Sequence, residues 1–177
     1  MVIPESPALA ECLAAALDHR AELIPRLEAE GTNAYRLFHG SAEGVPGLTV
    51  DRYGDLLLVQ SFHRPLDEAE LAALETFYGA ALPGLTAIYN DRSGANSRIA
   101  NALSPAVQAQ AEQLREFTEM GARYAVQARH GGQDPWLFLD LRAGRRRVMA
   151  EAAGKSVLNL FAYTCGVGIA AARGGAR

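Results

Sequence analysis

The 177-residue chain is 49% hydrophobic, 21% charged and 7% aromatic, a balance that supports a packed core and excludes a disordered or collagen-like polymer. Its 17 Lys plus Arg against 20 Asp plus Glu leave a net charge of -3, so no global positive field draws it to nucleic acid or membrane and any RNA contact has to be local. Two distant cysteines, Cys12 and Cys165, form neither a disulfide framework nor a metal quartet. No apolar run approaches the roughly 18 residues of a membrane span, and the opening Met1 to Glu5 lacks the basic flank of a secretory signal. Together these point to a reducing, cytoplasmic setting.

Ser6-Pro7 reads as an N-cap with proline at the first helical position, and Leu9, Leu13 and Leu17 form one apolar stripe. That helix is expected to reach about Ile24, ahead of Pro25, with Gly31 closing a following helix. Ala34 to His39 has strand composition, and the turn formers from Gly40 to Gly47 end it. Leu48 to Tyr53 and Leu56 to Phe62 flank Gly54-Asp55 and read as a hairpin. Asp67 and Glu70 form a capping box for a helix with Leu71, Leu74 and Phe77 on one face, stopping near Gly79. Thr86 to Tyr89 is a short strand, residues 90–101 a polar loop, Ala106 to Leu114 weakly helical, and Arg115 to Thr118 with Arg123 to Gln127 a second hairpin. The expected organisation is a helical arm over residues 1–31, an α+β domain of strand-strand-helix-strand order over 32–112, and a further domain over 113–177.

Residues 155–172 read as strand, turn, helix. Val157, Leu158, Leu160 and Phe161 form the apolar run of a parallel strand covered on both faces, and Gly166 and Gly168 allow backbone to approach a ligand at the helix start. Gly166-x-Gly168-x-x-Ala171 matches a dinucleotide fingerprint, which keeps a nicotinamide site open. Ala162 to Cys165 lengthen the loop, a spacing that suits a different adenosyl ligand. The same glycines would also serve close helix packing with no ligand. Upstream, Phe138-Leu139 leads as a strand into an arginine-dense helix start, where Arg142, Arg145, Arg146 and Arg147 form a basic patch able to grip RNA phosphates or simply to face water. His39, His63 and His130 lack partners at metal-ligand spacing, so no metal site is expected.

Phe138-Leu139-Asp140-Leu141-Arg142 with Arg145, followed by Val157-Leu158-Asn159-Leu160-Phe161 and Tyr163-Thr164-Cys165-Gly166, resembles the bacterial class I S-adenosylmethionine-dependent RNA methyltransferases that include the large-subunit rRNA cytosine-C5 enzyme. Thr32 to Gly40 and Gly44 to Asp55 are similar to that family's central domain. Leu141 and Cys165 stand where glutamine and glycine are usual, and Asp134-Pro135-Trp136 replaces a Lys-Thr-Gly stretch. The resemblance implies an α+β domain followed by the start of a Rossmann-like α/β catalytic domain, S-adenosylmethionine as cofactor and RNA, 23S rRNA in particular, as substrate. It places Asn159, Phe161, Ala162, Tyr163, Thr164 and Gly166 along the methionine part of the cofactor. Asp140 and Arg142 resemble an acid-arginine pair near the same pocket, where the arginine holds a carboxylate or the pair fixes the helix start.

Methylation at cytosine C5 needs a nucleophile at C6, commonly a thiolate. The resemblance puts that cysteine beyond Arg177, so no catalytic residue is named. It also implies a chain without the usual PUA module ahead of residue 32, ending inside its catalytic domain, lacking the ribose-binding acid and inactive alone. The alternative is a non-catalytic RNA- or protein-binding module with a vestigial nucleotide-binding turn. The sequence leaves the oligomeric state open.

Overall fold

The computed structural model describes residues 8–160 and 162–177, in two compact units that divide between Gln133 and Asp134. The expected cap at Ser6-Pro7 lies outside the described residues.

The first unit opens with α1 (Leu9–His19), which buries Cys12, Leu13 and Ala16. It stops earlier than the sequence suggested, because Pro25 belongs to the next helix, α2 (Leu23–Ala29). Pro25 occupies the first turn of α2, where a missing N–H costs no intrahelical bond. Gly31, at φ +77°, closes α2, and the Thr32 N–H donates to Leu27 O at 2.9 Å.

Four strands follow, β1 (Ala34–His39), β2 (Leu48–Tyr53), β3 (Leu56–Ser61) and β4 (Thr86–Asp91), ordered β1-β2-β3-β4 across one sheet. Three strands therefore precede the long helix, and the order is strand-strand-strand-helix-strand. β1, β2 and β3 are antiparallel, and Tyr53 pairs with Leu56 so that Gly54-Asp55 makes a two-residue turn. Gly54 has φ +63°, and a Cβ there would fall 2.4 Å from Glu116 O, so only glycine fits. β4 runs parallel to β3, which requires a crossover, supplied by α3 (Glu68–Ala81). At its start Glu70 N–H donates to Asp67 Oδ1 at 2.8 Å and Asp67 N–H to Glu70 Oε2 at 3.0 Å, the expected capping box. One cluster joins Leu13, Leu27, Leu37, Val50, Leu57, Val59, Leu74 and Tyr78 from all three helices and the sheet.

Ser104 caps α4 (Pro105–Ala111), and β5 (Arg115–Glu119) and β6 (Ala122–Val126) form the second hairpin. The hairpin belongs to the first unit. Asn33 N–H donates to Thr118 O at 3.1 Å, Thr118 N–H to Asn33 Oδ1 at 2.7 Å, and the Tyr53 and Phe117 rings meet edge-on at 5.2 Å. The division consequently falls after Gln133 and not near residue 113, and the helices before residue 32 pack on the sheet instead of forming a separate arm.

In the second unit a short 3-10 turn (Leu139–Leu141) leads into α5 (Arg142–Glu151), and a turn at residues 162–165 opens α6 (Gly166–Arg173). The two strands expected here do not form among the described residues. Phe138 passes directly into the 3-10 turn. The segment 155–160 has no strand beside it, which leaves Leu158 82% and Leu160 67% exposed. A parallel strand exists only through hydrogen bonds to neighbours, whereas composition records only the tendency to extend. α5 and α6 pack closely at their ends: a Cβ on Gly174 would lie 2.2 Å from Met149 O. Gly154 N–H donates to Gly175 O at 2.8 Å and Arg177 N–H to Lys155 O at 2.9 Å.

Candidate functional site

From a strap over residues 134–141, Trp136, Leu137, Phe138 and Leu141 line a cleft of about 250 Å³ whose other walls are Asn159, Leu160, Ala162 to Thr164 and the start of α6. Three side chains hold this strap. Tyr163 donates its hydroxyl to Asp134 O at 3.1 Å, Thr164 donates Oγ1–H to Trp136 O, and Arg145 donates from Nη1 to Phe138 O at 2.9 Å. The carbonyls of residues 134, 136 and 138 thus each accept from a side chain of the opposite wall or of α5. The Phe138 and Tyr163 rings add a tilted contact at 5.5 Å.

The turn itself is tight. Tyr163 and Cys165 have φ +48° and +61°, left-handed conformations that cost non-glycine residues on the order of 1 kcal/mol each and concentrate at functional sites. Cys165 N–H donates to Ala162 O at 2.6 Å, and the helical ladder begins with Ile169 N–H on Cys165 O at 2.8 Å. The N–H groups of Gly166, Val167 and Gly168 therefore stand at the helix opening without intrahelical acceptors, where the helix dipole favours negative charge. A Cβ on Gly168 would come within 3.2 Å of Asn159 Nδ2, so glycine lets the asparagine side chain approach the first turn. Burial raises the Tyr163 pKa above the ordinary tyrosine value, and the Asp134 charge adds to the shift.

Of the residues singled out in the sequence, Asn159, Ala162, Tyr163, Thr164 and Gly166 line this one cleft. Asp140 is exposed in the 3-10 turn and Arg142 begins α5; neither is among the lining residues. Phe161 lies outside the described residues. The basic patch divides: Arg146 and Arg147 are exposed, with Arg147 paired to Glu151 at 2.9 Å, whereas Arg145 is only 1% exposed and lines the cleft. Its signal was present in the sequence, since Arg145, Val148, Met149 and Ala152 follow the i, i+3, i+4, i+7 spacing of an inward helical face. Trp136, Leu137 and Phe138 complete the strap wall and carry no comparable local signal. Cys165 is exposed and Cys12 buried in α1; neither lines the cleft.

Larger hollows of about 480 and 530 Å³ flank α3 in the first unit, with Glu75 as their one carboxylate. Among the described residues no group of three potential metal ligands occurs, and no helix is long and apolar enough to cross a membrane.

The model of the S-adenosylmethionine-dependent methyltransferase family matches residues 35–177. A ribosomal RNA large subunit methyltransferase of Deinococcus radiodurans is 34% identical over 93% of this chain and 41% of its own length. Ribosomal RNA large subunit methyltransferase I of Escherichia coli strain SMS-3-5 is 32% identical over 84% of this chain and 37% of its own. The chain thus spans about two fifths of the curated relatives it matches. The crystal structure of SMU.776, assigned as a methyltransferase and complexed with SAH, superposes with a TM-score of 0.75 at 28% identity, over 99% of this chain and 45% of that one. The architecture is accordingly an α+β domain followed by part of a Rossmann-like methyltransferase domain, and the chain belongs to the family of S-adenosylmethionine-dependent methyltransferases.

Proposed function

We propose that this chain carries the methionine-side part of a methyl-donor site in an enzyme that methylates large-subunit ribosomal RNA, with C5 of a cytosine as the modified position. The observation that carries the reading is the cleft closed by the 134–141 strap over the opening of α6. The N–H groups of the first turn of α6 suit a carboxylate, and Gly168 lets the Asn159 side chain, which lines the cleft, approach that turn. The names of the relatives support the RNA substrate, and the sequence resemblance supports cytosine C5.

The residues present fit one end of the donor. A volume of about 250 Å³ falls below the roughly 300–1,000 Å³ of a site enclosing a whole drug-sized ligand, so the cleft takes a portion of an adenosyl ligand. Asn159, Ala162, Tyr163, Thr164 and Gly166 border that portion, largely through backbone groups, while Asp140 and Arg142 stand close by in sequence at the start of α5. S-adenosylmethionine, when bound, supplies a methyl group made electrophilic by its sulfonium. The chain's own residues bind and orient that group. The thiolate required at C6 is not assigned to Cys12 or Cys165, which lie outside the cleft lining.

The test is a titration of the isotope-labelled 177-residue chain with SAH, followed by amide NMR, with NADH as control. Millimolar SAH should shift the amides of residues 162–168 and leave the first unit unchanged, while NADH shifts neither. Shifts confined to the first unit, or equal responses to both ligands, would overturn the cofactor reading. For the substrate, residues 35–177 exchanged into the Deinococcus relative should sustain transfer of labelled methyl to 23S rRNA; transfer to protein or DNA instead would reject the RNA assignment.

A further inference from the structure

Arg145 occupies the leading position of the inward face of α5, a place that packing alone would fill with a hydrophobe, and it is 1% exposed. Burying a guanidinium strips it of hydration, and a well-packed apolar side chain of similar volume commonly does as well or better. What an apolar side chain cannot do is donate a hydrogen bond. Arg145 gives one from Nη1 to Phe138 O at 2.9 Å, and its Cδ lies 3.6 Å from the position a Cβ would take on Gly166, the first residue of α6. One buried side chain therefore bonds to the strap at Phe138 and runs beside Gly166 at the helix opening.

We propose that Arg145 is a positioning residue for the methyl-donor cleft: by holding the Phe138 carbonyl against the start of α6, it sets the separation between the strap and the helix opening. The inference rests on the function proposed above. It assigns Arg145 a role other than phosphate binding, because its charge is enclosed. The neighbouring rungs, Tyr163 to Asp134 and Thr164 to Trp136, are donated by exposed residues and hold the strap less firmly than a charge-assisted bond from a buried donor.

Trp136 is the single tryptophan of the chain and lines the cleft, so its emission reports the strap directly. In the 177-residue chain, Arg145→Met should keep the helices by circular dichroism yet make Trp136 about twofold more accessible to acrylamide. It should also raise the SAH concentration needed for the amide shifts about tenfold, as expected for losing a hydrogen bond from a charged donor. Arg145→Lys, which keeps a charged donor, should recover most of both effects. Unchanged Trp136 quenching in folded Arg145→Met, or equal loss in Arg145→Lys and Arg145→Met, would overturn the role. If Arg145→Met does not fold, Thr164→Val, which removes the adjacent rung at the surface, should loosen Trp136 in the same sense, and no change in quenching there rejects the strap arrangement. Absence of SAH shifts in the unsubstituted chain would count against the proposed function alone, since the quenching comparison requires no ligand.

Discussion

Arg36 and Asp51 face each other across β1 and β2 and join by two hydrogen bonds, Nε to Oδ1 at 2.8 Å and Nη2 to Oδ2 at 2.9 Å. The carboxylate is 2% exposed and the arginine side chain 37%. Arg36→Met leaves a buried charge without its main cation and should destabilise the first unit by about 2 to 3 kcal/mol, toward the lower end of what breaking a buried pair costs because the arginine still meets water. Arg36→Met combined with Asp51→Leu should recover much of that loss. Urea unfolding of the two variants distinguishes these outcomes.

Acid should weaken the start of α3. Hydrogen bonding to Arg64 is the largest cause lowering the Glu70 pKa, with the Asp67 backbone N–H adding to it and burial opposing. A carboxyl whose folded value is depressed contributes stability above its unfolded value, about 4.3, and loses it as pH falls through the lower folded value. Arg64 is exposed, so the share is small. The melting temperature should fall more steeply below pH 4 in the parent than in Glu70→Gln, and parallel profiles would contradict the assignment.

Alkali acts through tyrosine. Burial pushes the Tyr78 hydroxyl well above the ordinary tyrosine value, and burial also raises that of Tyr35. A raised folded value means that stability is complete below the unfolded pKa of about 10 and declines as pH rises through the folded value. Ultraviolet titration should show Tyr78 ionising only with unfolding, and Tyr78→Phe should flatten the loss of stability above pH 10.

Two glycines, one inside α3 and one just past the end of α6, should respond oppositely to alanine. Gly79 in α3 has open space where a Cβ would go, so Gly79→Ala should stabilise by about 0.5 to 1 kcal/mol. Gly174 has Met149 O at 2.2 Å from that position, so Gly174→Ala should separate α5 from α6 and cost about 1 to 3 kcal/mol. Thermal melts, with limited proteolysis of the second unit, would register both.

The parts of this fold that could be read from the chain alone are those decided by neighbours in sequence. Asp67 and Glu70 make their box within one helical turn, and Gly54-Asp55 turns a hairpin whose arms lie on either side. Pro25 was misplaced because a proline marks either the end of one helix or the first turn of the next, and only the packing of Leu27 settles which. The hairpin at Arg115 to Val126 joins the first unit through Asn33 and Tyr53, partners more than sixty residues distant, which no local pattern exposes. The cleft was half legible. Its turn lies in one continuous motif from Asn159 to Gly166, and Arg145 is marked by the helical spacing it shares with Val148, Met149 and Ala152, whereas Trp136 reaches the cleft through a carbonyl bond to Thr164 that no local pattern exposes.

The stretch from Ser156 to Leu160 has a practical consequence for handling the 177-residue chain. In the 177-residue chain Leu158 and Leu160 are bare to water and no strand lies beside them among the described residues, so an extended peptide, including the same stretch of another molecule, can dock there. Turbidity and light scattering of concentrated solutions should therefore be governed by these residues, and a single lysine in place of Leu158 should clear them while leaving the rest of the molecule as it is.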